Sequence, residues 1–525
     1  MSDIIEIYDS TLRDGAQAEG ITYSVEDKLM IAKRLDEFGV HYIEGGWPNP
    51  TNPKDLEFFI RAKEHEFQHA KITAFGSTRR ATNTPEHDAI LNTLLAAETE
   101  SIAIFGKSWD LHVIEVLRAT LDENLRLIED SVTYLCKKGR EVIYDAEHYF
   151  DGYKHNPTHA LATLHAAAEG GARILVLCDT NGGTMPSELM KIIGETKKEI
   201  RGIPFGIHTH NDAGMGVANT ILAVELGAVQ VQGTFNGYGE RCGNANLCAI
   251  IPNLELKLGK RCVGQETLRA LMDLSRFISE VANELHDHRQ PYVGESAFAH
   301  KGGAHIDGVM KVTRSFEHIN PELVGNERRF LVSDQSGGST IVSQLQKLRP
   351  GIKKGDRVVK DVLAAVKQLE NAGYQFEAAN GSFELLALKA MGEYVDPFEV
   401  KSFRTISRTS EEGTEIEAIV KIAVDGVIHH TVAEGDGPVN ALDNALRKAL
   451  KAAYPVLQQV RLEDYKVRVL SSRDGTAAKV RVLIESSDGG EPWGTVGVSE
   501  NIIEASWIAL LDSFRYKLLK DKRRM

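Results

Sequence analysis

The sequence predicts an α/β protein that begins with a (β/α)8 barrel, the TIM-barrel architecture, and ends with an α+β domain. Three observations lead to this prediction. Short apolar segments alternate with amphipathic helical segments through the first half of the chain. The alternation stops near residue 265, and a β-rich pattern that occurs twice begins near residue 393. Strands that alternate with helical segments are typical of parallel βαβ units, and a barrel contains eight of them.

Eight apolar segments in the first half are predicted to be strands. They begin at Ile4, Tyr42, Lys71, Ser101, Glu141, Arg173, Phe205 and Val229. Ser24 and Asp27 have the spacing of a capping box, and Pro186 suits the first turn of a helix. The eighth unit ends near residue 258, which matches the length of a barrel. The alternative, a doubly wound open sheet, more often has a GxGxxG turn after its first strand, where this chain has TLRDGAQAEG.

The remaining chain is predicted to form two further domains. We assign residues 1–264 to the barrel, 265–392 to helical connector subdomains and 393–525 to a C-terminal regulatory domain. In this last part, three β-rich runs precede a helix, and the same βββα order returns roughly 60 residues later. Two βββα repeats predict a single pseudo-symmetric α+β domain.

The composition excludes several other classes of protein. The chain has 74 acidic and 61 basic residues, and its net charge of −13 argues against a nucleic-acid or anionic-membrane surface. No apolar run is long enough for a conventional transmembrane helix, and the first residues lack the basic region of a secretory signal. The five cysteines lack CxxC spacing, so we expect reduced thiols in a cytoplasmic enzyme.

Two histidines on the seventh predicted strand carry the strongest chemical signal. His208 and His210 are two residues apart, so both imidazoles point to the same face at the carboxyl end of the strand. Barrel enzymes keep their active sites at that end of the barrel. The pattern predicts a divalent-metal site, although the spacing alone leaves open a hydrogen-bonded polar layer without a metal.

Asp14 follows the first strand and can complete a ligand set of two histidines and one carboxylate. Arg13 would then direct a cation toward the same centre, although RDG also fits a turn with a solvated ion pair. For Asp212, after the seventh strand, we favour capping of the next helix over metal binding. Imidazole and carboxylate ligands fit Mg²⁺, Mn²⁺, Co²⁺ or Zn²⁺, and the sequence does not select one of them.

Three further strand ends carry polar groups. Asp145 and Glu147 share one face at the end of the fifth strand, where paired carboxylates suit proton transfer, or a structural ion pair with a barrel lysine or arginine. The hydroxyl of Thr180, after the sixth strand, can bind a small carboxylate. Asn244, after the eighth strand, offers an oxygen ligand. For the loops that carry Thr180 and Asn244, the alternative is a turn in which glycine is required only by the backbone conformation.

These motifs resemble the signatures of the 2-isopropylmalate, homocitrate and citramalate synthase family. The resemblance lies in LRDGAQ followed by Lys28, in HTHNDAGMGVAN, and in the segments GERCGNANL, HKGGAHIDG, GDGPVNAL and TVGVSENIIEASW. It extends over nearly the whole chain. Within the family, the segments that begin at Glu44 and Arg314 look most like the citramalate synthase branch.

The resemblance implies an acyltransferase that joins acetyl-CoA, pyruvate and water into (R)-citramalate and releases CoA, on a threonine-independent route to isoleucine. The alternatives are a 2-isopropylmalate synthase, which uses 2-oxoisovalerate, and a retro-aldol lyase on a related barrel. The resemblance also implies a homodimer with a shared active site, a LeuA-type C-terminal dimer domain, and a branched-chain amino acid effector, with isoleucine favoured.

The resemblance further assigns a role to each candidate residue. The residues implied to bind the divalent metal, or to lie at it, are Asp14, His208, His210 and Asn244. Arg13 would stabilise the oxo group, and Thr180 would bind the carboxylate of the oxo acid. His305 would act as the base, with Glu147 assisting it. Many relatives have a tyrosine shortly after this histidine, and by our register this chain has Phe316 there.

Overall fold

A computed structural model describes the chain except residues 1–3, 50, 52, 334, 412, 471–476, 491 and 525. The chain divides into two compact units. The first unit comprises Met1–Phe298 and Ile319–Glu327, and the second comprises Ala299–His318 and Arg328–Met525. Residues 265–298, which the sequence assigned to the connector, therefore pack with the barrel.

Eight parallel strands close a barrel in the first unit. They are β1 (Glu6–Asp9), β2 (Tyr42–Gly46), β3 (Lys71–Ser77), β4 (Ser101–Lys107), β5 (Glu141–Glu147), β6 (Ile174–Asp179), β7 (Phe205–Thr209) and β8 (Gln230–Gly233). Each strand pairs with the next in chain order, and β1 pairs with β8. The predicted barrel is confirmed, and the strands agree with the predicted segments to within two residues at either end.

Helices surround this barrel. They are α1 (Val25–Glu37), α2 (Pro53–Ala62), α3 (Ala89–Ala96), α4 (Leu121–Lys137), α5 (Tyr149–His155), α6 (Pro157–Gly170), α7 (Pro186–Glu199), α8 (Gly216–Glu225), α9 (Leu247–Leu256), α10 (Gln265–Leu268) and α11 (Leu271–Val281), with a π-helical segment at His112–Leu117. Ser24 and Asp27 form the predicted capping box of α1, and Pro186 opens α7. The local sequence patterns thus determine where α1 and α7 begin.

The strands are buried on both faces, as in other parallel sheets that helices cover. Outward-facing aliphatic side chains such as Ile7, Ile43 and Leu175 pack in the main core, and Tyr8 and Phe75 belong to a separate inner cluster. Buried polar side chains also occur on the barrel strands. Those at the carboxyl ends of the strands lie where barrel enzymes keep their active sites.

The second unit begins with helices and ends with two antiparallel sheets. Its first elements are β9 (Ala299–His300), α12 (Gly303–Lys311), β10 (Arg329–Phe330), α13 (Gly338–Leu348), α14 (Arg357–Asn371) and α15 (Asn380–Met391). The first repeat is β11 (Glu399–Ser410), β12 (Gly413–Val424), β13 (Val427–Glu434) and α16 (Pro438–Leu450). The second is β14 (Arg461–Val469), β15 (Val480–Ser487), β16 (Trp493–Ser499) and α17 (Ile502–Arg524). The βββα order therefore occurs twice, as predicted.

One apolar core joins the two βββα repeats. It contains Val420 and Leu446 from the first repeat and Trp493 and Phe514 from the second.

All five cysteines of the chain are free thiols. Within the described residues, no helix combines the length and the apolar character that a membrane crossing requires.

Candidate metal centre and active site

The carboxyl ends of β1 and β7 bring Asp14, His208 and His210 together. Asp14 Oδ2 lies 3.6 Å from His208 Nε2 and 3.8 Å from His210 Nε2. All three residues are buried, and their candidate ligand atoms lie within 4.8 Å of one another. Two imidazoles from one strand and one carboxylate from another therefore converge on a single point.

This cluster fits a divalent metal. The distances of 3.6 and 3.8 Å exceed hydrogen-bond length. Bonds of about 2.0–2.2 Å to a shared cation place ligand atoms about 3–4 Å apart. Asp14 Oδ1 and Asn244 Oδ1 are buried without a hydrogen-bond partner among the described residues. Buried polar atoms seldom lack a partner, so this concentration of them indicates a site for a further group.

The charges of the ligand side chains suit metal binding. Burial opposes ionisation of Asp14, but the positive charge of Arg13 and the two imidazoles outweigh it and lower the pKa of Asp14 to about 2. Burial, followed by the neighbouring His208, lowers the pKa of His210 to about 4. At neutral pH the carboxyl group is therefore an anion and the His210 imidazole is neutral, which are the forms that bind a metal.

Arg13 is held in a fixed orientation beside Asp14. Its Nη1 donates to Asp14 Oδ2 at 3.0 Å, and its Nε donates to Glu44 Oε2 at 2.6 Å. The guanidinium carbon lies 3.7 Å from the centre of the Phe75 ring. The hydroxyl of Tyr8 donates to the other Glu44 oxygen at 2.7 Å. Glu44 therefore anchors Arg13, a role that the sequence analysis missed, although an acid inside the apolar segment YIEGG was a signal for it.

Lys28, from the first family signature, supports the chain that follows Glu44. Its Nζ donates to the backbone oxygen of Gly45 at 2.9 Å and to Asp55 at 2.5 Å. Asp55 in turn accepts the backbone N–H of Trp47 at 3.0 Å. The buried lysine thus fixes the loop after β2 and, through it, the end of the strand that carries Glu44.

Asp145 and Glu147 lie on the same face of β5 but in different surroundings. Asp145 is buried, and burial together with the charge of Glu44 raises its pKa to about 8. Glu147 lies at the rim and forms an ion pair with Lys107 at the end of β4. Such an ion pair was the alternative role of Glu147 that the sequence left open, and this pair is present.

Thr180 lies next to the end of β5. Its hydroxyl oxygen accepts the backbone N–H of His148 at 2.9 Å. A hydroxyl that accepts in this way still has its own proton to donate. His148 itself has a left-handed backbone with a φ of 54°, which brings the chain back across the rim directly after Glu147.

Asn244 is oriented by the glycine-rich loop after β8. Its Nδ2 donates to the backbone oxygen of Tyr238 at 3.1 Å. Gly239 has a φ of +153°, and a Cβ atom there would lie 2.2 Å from Asn244 Nδ2. Only glycine fits this approach, so the loop sequence determines how the amide is held.

The prediction that Asp212 caps the following helix is wrong. Helix α8 begins at Gly216, and Asn211 Oδ1 accepts the N–H of that residue at 3.0 Å. Asp212 instead accepts two hydrogen bonds from Arg241, at 2.8 and 3.0 Å. The reason is that the adjacent Asn211 already bonds the first residue of the helix, whereas the Asp212 carboxylate pairs with Arg241. Arg241 also donates to the backbone oxygen of Thr180 at 2.7 Å, and so ties three loops of the rim together.

His305 belongs to the second unit, on α12. Its ring stacks on Phe316, with ring centroids 4.3 Å apart and an angle of 22° between the planes. Both side chains are exposed. The aromatic residue that our register placed near this histidine therefore does contact it. The other candidate residues, from Arg13 to Asn244, all lie in the first unit.

A closed parallel barrel with a carboxylate–imidazole cluster at the carboxyl ends of its strands defines the class: a barrel enzyme with a candidate divalent-metal centre. Family models match the chain in three stretches. "HMGL-like" matches residues 4–278, "Homocitrate synthase post-HMGL domain-like" matches 292–373, and "LeuA allosteric (dimerisation) domain" matches 377–518.

Similar curated proteins narrow this class. The chain is 55% identical to an (R)-citramalate synthase of Geobacter sulfurreducens, with 99% of this chain and 98% of that protein covered. It is 52% identical to the (R)-citramalate synthase of Aquifex aeolicus, with 99% of each covered. A probable 2-isopropylmalate synthase of Methanopyrus kandleri is 30% identical, with 96% of this chain and 97% of that protein covered. The chain belongs to the (R)-citramalate synthase family, which confirms the resemblance seen in its motifs.

The first prediction concerns the carboxylate ligand. We expect Asp14→Ala to weaken Mn²⁺ binding at least tenfold, because it removes the only carboxylate of the cluster. Calorimetric titration of metal-free protein measures this, with circular dichroism to establish that the variant is folded. The control is Asp212→Ala, an aspartate of the same rim that pairs with Arg241, and it is expected to bind Mn²⁺ like the wild type. A folded Asp14→Ala protein with wild-type affinity would contradict the assignment.

Proposed function

We propose that this protein condenses acetyl-CoA with pyruvate and water to form (R)-citramalate and CoA. The observation that carries the proposal is the identity of 46–55% to (R)-citramalate synthases over nearly the full chain. The 2-isopropylmalate synthases, at 29–30%, form the main alternative. A retro-aldol lyase on a related barrel is disfavoured, because it has no evident use for the duplicated C-terminal domain.

We assign the acceptor site to the metal cluster and its neighbours. A divalent ion held by Asp14, His208 and His210, one of Mg²⁺, Mn²⁺, Co²⁺ or Zn²⁺, would supply Lewis-acid polarisation of the oxo group. Arg13, anchored by Glu44, presents a fixed positive charge to the same oxygen as negative charge develops there. Asn244 lies at the same centre. These residues are in place before substrate binds, so little reorganisation is needed.

We assign Thr180 to binding of pyruvate and Glu147 to the proton transfer from acetyl-CoA. The Thr180 hydroxyl accepts from the backbone, so it has its proton available for the carboxylate of pyruvate. Removal of a proton from the methyl group of acetyl-CoA is assigned to His305, with Glu147 orienting or assisting it. Glu147 pairs with Lys107 at the rim, which holds its side chain at the mouth of the barrel.

The methyl carbon of acetyl-CoA loses a proton to the base and bonds to carbon 2 of pyruvate, whose oxo oxygen takes up a proton and becomes a hydroxyl. Water then cleaves the thioester and releases the CoA thiol, a carboxylate and a proton. Hydrolysis makes the overall reaction effectively irreversible.

The second prediction identifies the acceptor. Thiol release from acetyl-CoA is measured with pyruvate, 2-oxobutanoate, 2-oxoisovalerate and 2-oxoglutarate, with and without a chelator. We expect the highest kcat/KM with pyruvate, and a value about 10-fold or more lower for 2-oxoisovalerate, since each added methylene is worth about 1–3 kcal/mol in a fitted pocket. A preference for 2-oxoisovalerate would favour 2-isopropylmalate synthesis. No thiol release with any acceptor would favour the lyase.

We further propose a homodimer that shares its active sites between subunits. The match of residues 377–518 to a dimerisation domain supports an oligomer. His305 belongs to the second unit, and its delivery to the partner's barrel is proposed from the resemblance of the segment HKGGAHIDG to the family.

The third prediction tests this sharing. His305→Ala and His208→Ala subunits are each expected to be inactive, because each lacks one half of the site. After subunit exchange, the hybrid dimer retains one intact combination, so about a quarter to a half of the wild-type thiol-release rate is expected to return, in line with one working site of two. The control is each variant exchanged with itself. Verified exchange without any recovery of activity would rule sharing out.

We also propose that the C-terminal domain binds a branched-chain amino acid, with isoleucine favoured. The duplicated fold supports a symmetric crevice, and the glycine-rich turns GDGPVN and GGEPWG are suited to a carboxylate because glycine lets backbone amides come close. Gly437 directly precedes Pro438, the first residue of α16, and the space around its Cα is open.

The fourth prediction tests this effector site. Calorimetry is expected to show isoleucine binding to the full-length protein, with weaker binding of leucine and valine. Gly437→Ala is expected to reduce isoleucine affinity severalfold with unchanged basal activity, because the added methyl group lies where the carboxylate approaches. Gly355→Ala, also in open space but before α14, is the matched control. If no branched-chain amino acid binds at millimolar concentration, the domain is structural.

A further inference from the structure

We propose that Gln232 is a positioning residue that holds His208 in the orientation and tautomer required for metal binding, an inference that rests on the proposed metal-dependent function. Gln232 lies on β8, its side chain is fully buried, and it belongs to none of the segments on which the family resemblance was based. His208 and Gln232 are direct partners across the β7–β8 pair. The two side chains therefore stand side by side in the barrel.

The Gln232 amide is bonded at both ends. Its Oε1 lies 3.0 Å from His208 Nδ1, and its Nε2 donates to Asp145 Oδ1 at 3.1 Å and, at 3.5 Å, to Gln230 Oε1. Because the carboxyl group of Asp145 takes the N–H, the amide oxygen is the atom that faces the imidazole. An amide oxygen only accepts, so His208 Nδ1 must carry a proton and donate.

This hydrogen bond determines which nitrogen of His208 can bind a metal. When Nδ1 carries the proton, the lone pair of the neutral ring is on Nε2. Nε2 is the atom that faces Asp14 Oδ2, at 3.6 Å. Partners on the far nitrogen of a ligand histidine commonly fix both its tautomer and its ring orientation. Asp145, Gln232 and His208 thus form one chain of contacts that ends at the candidate metal position.

His210 provides an internal contrast. Its Nδ1 is buried and has no hydrogen-bond partner among the described residues. Of the two ligand histidines, His208 is therefore the one whose far nitrogen is held by a side chain. Loss of Gln232 would leave both imidazoles without such a partner. Since an unheld imidazole binds a metal less tightly, we expect the substitution to lower metal affinity and not only to disturb packing.

The test is metal affinity, measured by calorimetric titration of metal-free protein with MnCl₂ and without substrate. Gln232→Met keeps the size of the side chain and removes both hydrogen bonds. We expect it to weaken Mn²⁺ binding about 10- to 100-fold, the usual effect of losing such a partner. Gln232→Glu keeps an oxygen for His208 and is expected to recover most of this loss.

The matched control is Gln230→Met. Gln230 lies two residues earlier on the same face of β8 and is equally buried, but its amide nitrogen donates to Glu6 at 3.3 Å. Its side chain meets that of Gln232 through a long hydrogen bond of 3.5 Å from Gln232 Nε2, which does not involve the oxygen that faces His208. This variant is expected to bind Mn²⁺ like the wild type. If Gln232→Met does not fold, as judged by circular dichroism, Gln232→Asn takes its place. It keeps the amide but withdraws it by one methylene, and the same loss is expected.

The outcomes separate this inference from the proposed function. Wild-type protein that binds no divalent ion would overturn the metal centre and the role of Gln232 together. Wild-type affinity in folded Gln232→Met, or equal losses in the Gln230 and Gln232 variants, would overturn the role of Gln232 alone. So would a Gln232→Glu protein that binds as weakly as Gln232→Met, because the acceptor oxygen would then be irrelevant.

Discussion

Closure of the barrel through the pairing of β1 with β8 is the constraint on which the candidate site depends. Asp14 follows β1 at the start of the chain, whereas His208 lies on β7 and His210 directly follows it. Only because β1 pairs with β8, and β8 with β7, do these side chains come within 3.6–3.8 Å of one another. An open sheet of the same strands would place β1 and β7 far apart, and the ligand set would not exist.

Burial gives this cluster its chemical character. Removing charged groups from water is costly unless partners compensate for it. Here Arg13 has Asp14 and Glu44 as partners, and Glu44 has the hydroxyl of Tyr8 as well. Charges fixed in this way need no reorganisation when negative charge develops on a substrate oxygen, which is the main electrostatic advantage of a preformed site. The apolar packing of the barrel maintains the arrangement.

The predictable part of the site follows from local spacing. Alternation of side chains along a strand places His208 and His210 on one face, and the length of the βα units predicts the barrel itself. Asp14 could be proposed because the end of β1 lies near the end of β7 in any such barrel. The role expected for Asp212 was wrong, because the adjacent Asn211 bonds the first residue of α8 instead, and the sequence does not show which of two neighbouring polar side chains turns toward the helix. Loop geometry depends on contacts with neighbouring loops, here through Arg241.

The sequence by itself determined the strand positions, the histidine pair, the duplicated C-terminal order and the family, because each of these is carried by a local pattern or motif. The tertiary structure decided that Glu44 holds Arg13 across 31 residues, and that Gln232 bonds His208 across 24. It also decided that Asp145 is buried while Glu147 pairs with Lys107 at the rim. These contacts depend on the register between neighbouring strands and on depth within the barrel. Both are set by the packing of the whole closed sheet, which no single segment of the sequence specifies.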